Sequence, residues 1–184
     1  GKCSQCKEPI SIRYPLIEIA TGLLSAFVGY TFGWNIQTLY VLVLTWCLIS
    51  LTMIDIDEKL LPDHITLPLI WVGLLINTQG AFAHLNDAVY GAVAGYLTLW
   101  GVYWLFKIIT GKEGMGYGDF KLLAAFGAWL GWQSLPLVIL LSSLVGAILG
   151  IAGILILGRG KDTKIPFGPY LAIAGWVTLF WGDQ

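Results

Sequence analysis

All ten lysines and arginines of this 184-residue chain fall on one side of a path through seven apolar segments. The segments run approximately Leu16–Phe32, Thr38–Ile54, Ile65–Asn77, Ala88–Ile109, Phe120–Trp132, Leu135–Leu157 and Tyr170–Trp181. Lys2, Lys7 and Arg13 precede the first segment, and Lys59 lies between the second and third. Lys107, Lys112 and Lys121 surround the gap between the fourth and fifth, and Arg159, Lys161 and Lys164 lie between the sixth and seventh. The opposite turns, near 33–37, 80–87 and 131–134, contain none. Positive residues collect on the cytoplasmic side of membrane proteins, so the N terminus is expected inside and the C terminus outside. The expected fold is all-α, a polytopic membrane bundle of about seven spans. Several segments fall short of the roughly 20 residues a straight span needs. The third and fifth are the weakest, to be extended by polar turns or to border a wet cavity.

Composition agrees with a membrane solvent. The chain is 57% hydrophobic and 11% charged, where a soluble domain carries about 25% charge. Its 23 Gly and 9 Trp suit close helix packing and interfacial anchoring. A net charge of -1 gives no reason to propose a nucleic-acid partner. Three cysteines make no secreted-type disulfide framework, and Cys47, inside an apolar run, reads as packing. The first fifteen residues are polar and basic, without a signal-peptide pattern. Gly1 stands where an initiator Met would, and upstream sequence is expected.

Two carboxylates are the candidates for chemistry. Asp55 ends the second segment and Asp119 begins the fifth, on the same side of the expected topology. Charging a carboxylate at the mouth of a span is expensive. If the two face each other, they can share a proton: the ionised one takes a proton from water while the protonated one polarises an amide carbonyl. A water held between them is then the nucleophile, with no metal and no covalent intermediate. Simpler readings stand beside this one. Asp119 suits a helix N-cap after a glycine loop, and Asp55, Asp57, Glu58 and Asp63 suit a solvated turn. Pro62 and Asp63 mark the start of the third span, with Asp63 as cap or Pro62 at the turn.

Gly114, Gly116 and Gly118 are expected to allow close backbone approach and a left-handed turn before Asp119. They match neither a dinucleotide fingerprint nor a phosphate loop. Lys121 either tunes a nearby carboxylate or anchors the chain at the interface. Gly91 with Gly95, and Gly146 with Gly150, form small-residue packing faces.

These residues resemble the bacterial type IV prepilin peptidases, GxGD-type aspartic proteases of type IV pilus and type II secretion systems. The first motif is the stretch from Asp55 to Leu61-Pro62-Asp63, and the second is Gly116-Tyr117-Gly118-Asp119-Phe120-Lys121. Ile165-Pro166-Phe167-Gly168-Pro169-Tyr170, and Ile12-Arg13-Tyr14-Pro15 followed by Glu18, also match in order. The resemblance implies that Asp55 and Asp119 are catalytic, with Asp63, Gly116, Gly118, Lys121 and Glu18 shaping the site or contacting substrate. It implies removal of a short basic leader from prepilins or pseudopilins, usually after a Gly, at the cytoplasmic face of the bacterial inner membrane. Many members then methylate the new N-terminal residue, typically Phe, with S-adenosylmethionine. A basic leader would meet Asp57, Glu58 and Asp63 with favourable charge.

Cys3 and Cys6 form C-x-x-C, half of a tetrahedral zinc site or an idle dithiol. Methylating members of the family carry a second pair upstream, after an additional span. Residues 1–15 are therefore expected to end a cytoplasmic loop built around structural zinc. Residues 16–184 would form the peptidase domain, and the complete protein would have eight spans. Glu18 suits either transferase chemistry or an interfacial carboxylate near Arg13. A carrier or channel that uses Asp55 and Asp119 to bind a cation or relay a proton is the alternative function. A purely structural subunit of a secretion complex is a third.

Overall fold

The computed structural model describes residues 5–6, 11–112, 114–157 and 166–182. Among them lie seven α-helices and no strand: α1 (Arg13–Phe32), α2 (Ile36–Glu58), α3 (Asp63–Asn77), α4 (Leu85–Thr110), α5 (Tyr117–Leu130), α6 (Leu135–Leu157) and α7 (Gly168–Trp181). A 3-10 turn, Trp132–Ser134, joins α5 to α6. Every apolar segment read from the sequence falls on one of these helices. Among the described residues, four helical stretches are long and apolar enough to cross a membrane: Arg13–Phe32, Ile36–Glu58, Leu85–Thr110 and Trp132–Leu149. At 15 residues α3 is shorter, and α5 and α7 have 14 each. At 1.5 Å per residue these reach only about 20 Å along their axes.

The chain divides into two compact units, Gly1–Ile49 and Ser50–Gln184. In the first, α1 and α2 meet at a tight corner. Gly33 takes φ 71° there. Asn35 caps α2, accepting from the Thr38 N–H at 3.0 Å and donating to the Phe32 carbonyl at 2.7 Å. Trp46 Nε1 donates to Ser25 Oγ at 3.0 Å, linking the two helices by their side chains.

The second unit is organised around α5. Nearly every residue from Asp119 to Leu130 is buried, as befits a helix apolar on all sides. Its most extensive packing is against α4, then α3. The α4–α5 contact is backbone on backbone. A Cβ on Gly91 would collide with the Gly127 carbonyl and one on Gly127 with that of Gly91. One on Gly95 would sit 2.7 Å from the Leu123 carbonyl oxygen. Gly91 and Gly95 thus form the small-residue face expected of them. Without a hydrophobic drive between helices in lipid, such close packing supplies much of the association. Gly146 of α6 lies against Tyr170 of α7.

Two polar residues complete this core. Asn77, buried at the end of α3, donates to the Ala128 and Trp129 carbonyls at 2.8 and 2.9 Å. Its Oδ1 accepts from the Phe82 and Ala83 N–H groups at 3.0 and 3.1 Å. One amide therefore satisfies two carbonyls at the end of α5 and the turn that leads to α4. Trp129 is fully buried and donates to the Leu69 carbonyl at 2.9 Å. This indole is a core residue, not an interfacial anchor. Asp87, in the first turn of α4, accepts from Trp132 Nε1 at 3.0 Å.

Candidate active site

Asp55 comes from the last turn of α2 and Asp119 from the first turn of α5. Both side chains are buried, at 5% and 6% relative exposure. They line one cavity of about 380 Å3, together with Lys59, Leu60, Leu61, Asp63, Tyr103, Gly114, Met115, Gly116, Tyr117, Gly118, Lys121, Pro166 and Phe167. The Asp119 carboxylate feels the charge of Asp55. Tertiary packing brings them together: α5 carries Asp119 into the centre of the unit, and the end of α2 meets it there.

Each carboxylate is held by one backbone N–H. Gly168 donates to Asp55 Oδ2 at 2.9 Å, across 113 positions of sequence. Gly116 donates to Asp119 Oδ2 at 3.2 Å. The Gly168 donor belongs to the N-terminus of α7, an end whose free N–H groups and dipole favour a carboxylate. Asp119 is the third residue of α5, not its N-cap; Gly116 occupies the cap position and receives the carboxylate that reaches back. Charge-assisted bonds of this kind fix an acid's orientation as well as its position.

The glycines divide by role. The expected left-handed turn at Gly114–Gly118 does not form, because Gly116 has φ -85° and ψ 154°, open to any residue. The left-handed glycine is Gly111, at φ 68°, which ends α4. A Cβ on Gly116 would meet nothing closer than 3.8 Å, so this residue serves through its N–H. Gly118 is different: its Cβ would lie 2.6 Å from Leu61 Cβ, a true close approach. Gly168 is closed off in the same way, its Cβ falling 2.7 Å from Asp55 Oδ2.

Lys121 forms an ion pair with Asp63, at the start of α3. Asp63 is the first helical residue, and Pro62 is the N-cap. Asp57 and Glu58 are exposed, as the sequence suggests. Glu18 is exposed on α1, in the other unit. Cys3 lies outside the described residues. Cys6 is an exposed free thiol, and no group of three or more His, Cys, Asp or Glu among the described residues could hold a metal ion. The described residues therefore offer no zinc donor set. Gly168 stands in the Pro-Phe-Gly-Pro pattern, and nothing in that pattern points to its bond with Asp55.

A profile of the type IV leader peptidase family matches residues 42–151, and one of the bacterial peptidase A24 N-terminal domain matches residues 1–32. The chain is 63% identical over 184 residues to the prepilin leader peptidase/N-methyltransferase of Stutzerimonas stutzeri, covering 100% of this chain and 64% of the relative. The protein of the same name from Aeromonas hydrophila is 63% identical over 186 residues, with 100% and 63% covered. That from Pseudomonas aeruginosa is 61% identical over 184 residues, again with 100% and 63% covered. The chain thus spans less than two thirds of the length of these relatives. No solved structure matches it. Its apolar helices and the match across residues 42–151 place the chain among integral membrane proteins, and it belongs to the type IV leader peptidase family.

Proposed function

We propose that the chain carries the peptidase of a membrane aspartic endopeptidase, with Asp55 and Asp119 as its catalytic residues. Its substrates are type IV prepilins or type II secretion pseudopilins, which lose a basic leader. The observation that supports this best is the convergence of two buried carboxylates on one cavity. In both, Oδ2 is the oxygen tied to a backbone N–H. The Oδ1 atoms are then the ones for a shared water and for the scissile carbonyl. With one carboxylate ionised and the other protonated, the first removes a proton from water and the second donates to the carbonyl oxygen. The roles reverse as the leaving amine takes up a proton. Because the carboxylates are already fixed, little reorganisation is needed when charge develops.

The site lies at the cytoplasmic face of the bacterial inner membrane in this reading, with all seven helices spanning and an eighth in the complete protein. The prepilin's apolar segment stays in the bilayer, and its basic leader meets the exposed Asp57 and Glu58. Residues 16–184 form the peptidase domain, and residues 1–15 end a loop in which Cys3 and Cys6 supply two zinc ligands. In the complete protein, S-adenosylmethionine supplies the methyl group for the new N-terminal amine.

The test incubates the full-length protein in phospholipid vesicles with a purified prepilin and reads the product by mass spectrometry. Loss of the leader is expected. An intact substrate, with cation flux through the same vesicles, would instead favour a transporter.

A further inference from the structure

Leu61 is a 7%-exposed side chain between α2 and α3, lining the same cavity as the two aspartates. It touches both backbones that handle them. A Cβ on Gly118, next to Asp119, would lie 2.6 Å from Leu61 Cβ. A Cβ on Gly168, whose N–H holds Asp55, would lie 3.2 Å from Leu61 Cδ1. One side chain therefore stands as spacer between the turn that bears one acid and the helix end that orients the other. Two residues on, Asp63 pairs with Lys121, itself two residues beyond Asp119. That bond ties the start of α3 to the first turns of α5, across 58 positions of sequence.

Resting on the peptidase reading above, we infer that Leu61 and the Asp63–Lys121 ion pair are positioning groups that together set the reach between Asp55 and Asp119. The Asp63 side chain is 58% exposed and that of Lys121 21%. A pair this wet contributes little to stability, so geometry is the property on which it acts. Lys59 adds a second sign. It begins the same connection at φ 54°, the one left-handed non-glycine backbone among the described residues. Such a conformation persists where its surroundings over-determine it.

The test measures kcat and KM of the full-length protein in phospholipid with a synthetic prepilin N-terminal peptide. Asp63→Asn and Lys121→Gln should each lower kcat roughly tenfold or more, since sub-ångström to ångström misplacement is felt in the chemical step. KM should stay within about twofold, and the unfolding temperature should not move. The double variant should be no slower than the slower single one, because both remove the same contact. Leu61→Ala should also lose kcat, and Leu61→Met should recover most of it. Additive losses in the double variant, unchanged kcat, or a loss confined to KM would overturn the inference. If Leu61→Ala does not fold, the ion-pair variants alone decide. Active wild type, an inactive Asp119→Asn and fully active ion-pair variants would sink the positioning role while sparing the peptidase. Wild type without cleavage would remove both.

Discussion

The backbone N–H of Gly168 donates to Asp55 Oδ2 at 2.9 Å, joining the start of α7 to the end of α2. The bond makes a segment with no chemistry of its own part of the site. Replacing Gly168 by Ala would put a methyl 2.7 Å from the same oxygen and 3.1 Å from its carbon. The carboxylate must then rotate away. Gly168→Ala should lower the cleavage rate by roughly ten- to a hundredfold. A folded, detergent-stable variant with that loss would locate the effect in Asp55's orientation.

Gly116 and Gly118 should respond differently to the same methyl. Gly116→Ala keeps the N–H that holds Asp119 and meets only ordinary contacts, the nearest at 3.8 Å from Asp119 Oδ2, so the rate should stay within about threefold of wild type. Gly118→Ala drives into Leu61 and should lose activity and stability together, by about 1–3 kcal/mol in the latter. Parallel cleavage assays and unfolding in detergent distinguish them.

Asn77 should matter to stability and not to chemistry. Asn77→Leu removes four hydrogen bonds and strands the Ala128 and Trp129 carbonyls and two turn N–H groups. A loss of about 2 kcal/mol is expected, read as a lower unfolding temperature. Cleavage at low temperature should persist.

The α4–α5 seam should reject volume. Gly127→Ala forces backbone apart and is expected to cost about 2 kcal/mol or more. Gly22→Ala, where nothing lies within 4 Å, should raise stability slightly through helix propensity. Unfolding curves for the two variants should therefore move in opposite directions.

Much of this was legible in the chain. The apolar segments locate all seven helices, since hydrophobic length is a local property. Gly91 and Gly95 announce their packing face by spacing alone. Asp55 and Asp119 stand out because a carboxylate at an apolar border needs a reason. What stayed hidden depends on distant partners. The ring of Trp129 looks like any interfacial indole until Leu69 accepts its N–H. Asn77 carries no pattern that points to the end of α5. Lys121 and Asp63 are each ordinary in sequence, and only the meeting of α3 with α5 pairs them. Gly116 misled in the opposite sense: a glycine beside a turn suggests a left-handed backbone, but its conformation is extended.

If the two buried carboxylates act on one water, neither can be spared. The leader-removal rate of Asp55→Asn and of Asp119→Asn decides this, each full-length, in phospholipid, with prepilin as substrate and helical content checked. Each isostere keeps size and loses the charge and proton exchange of an acid. The expected result is a folded protein slower by about a thousandfold or more in both cases. Near-wild-type cleavage by either variant would mean that its carboxylate takes no part in hydrolysis.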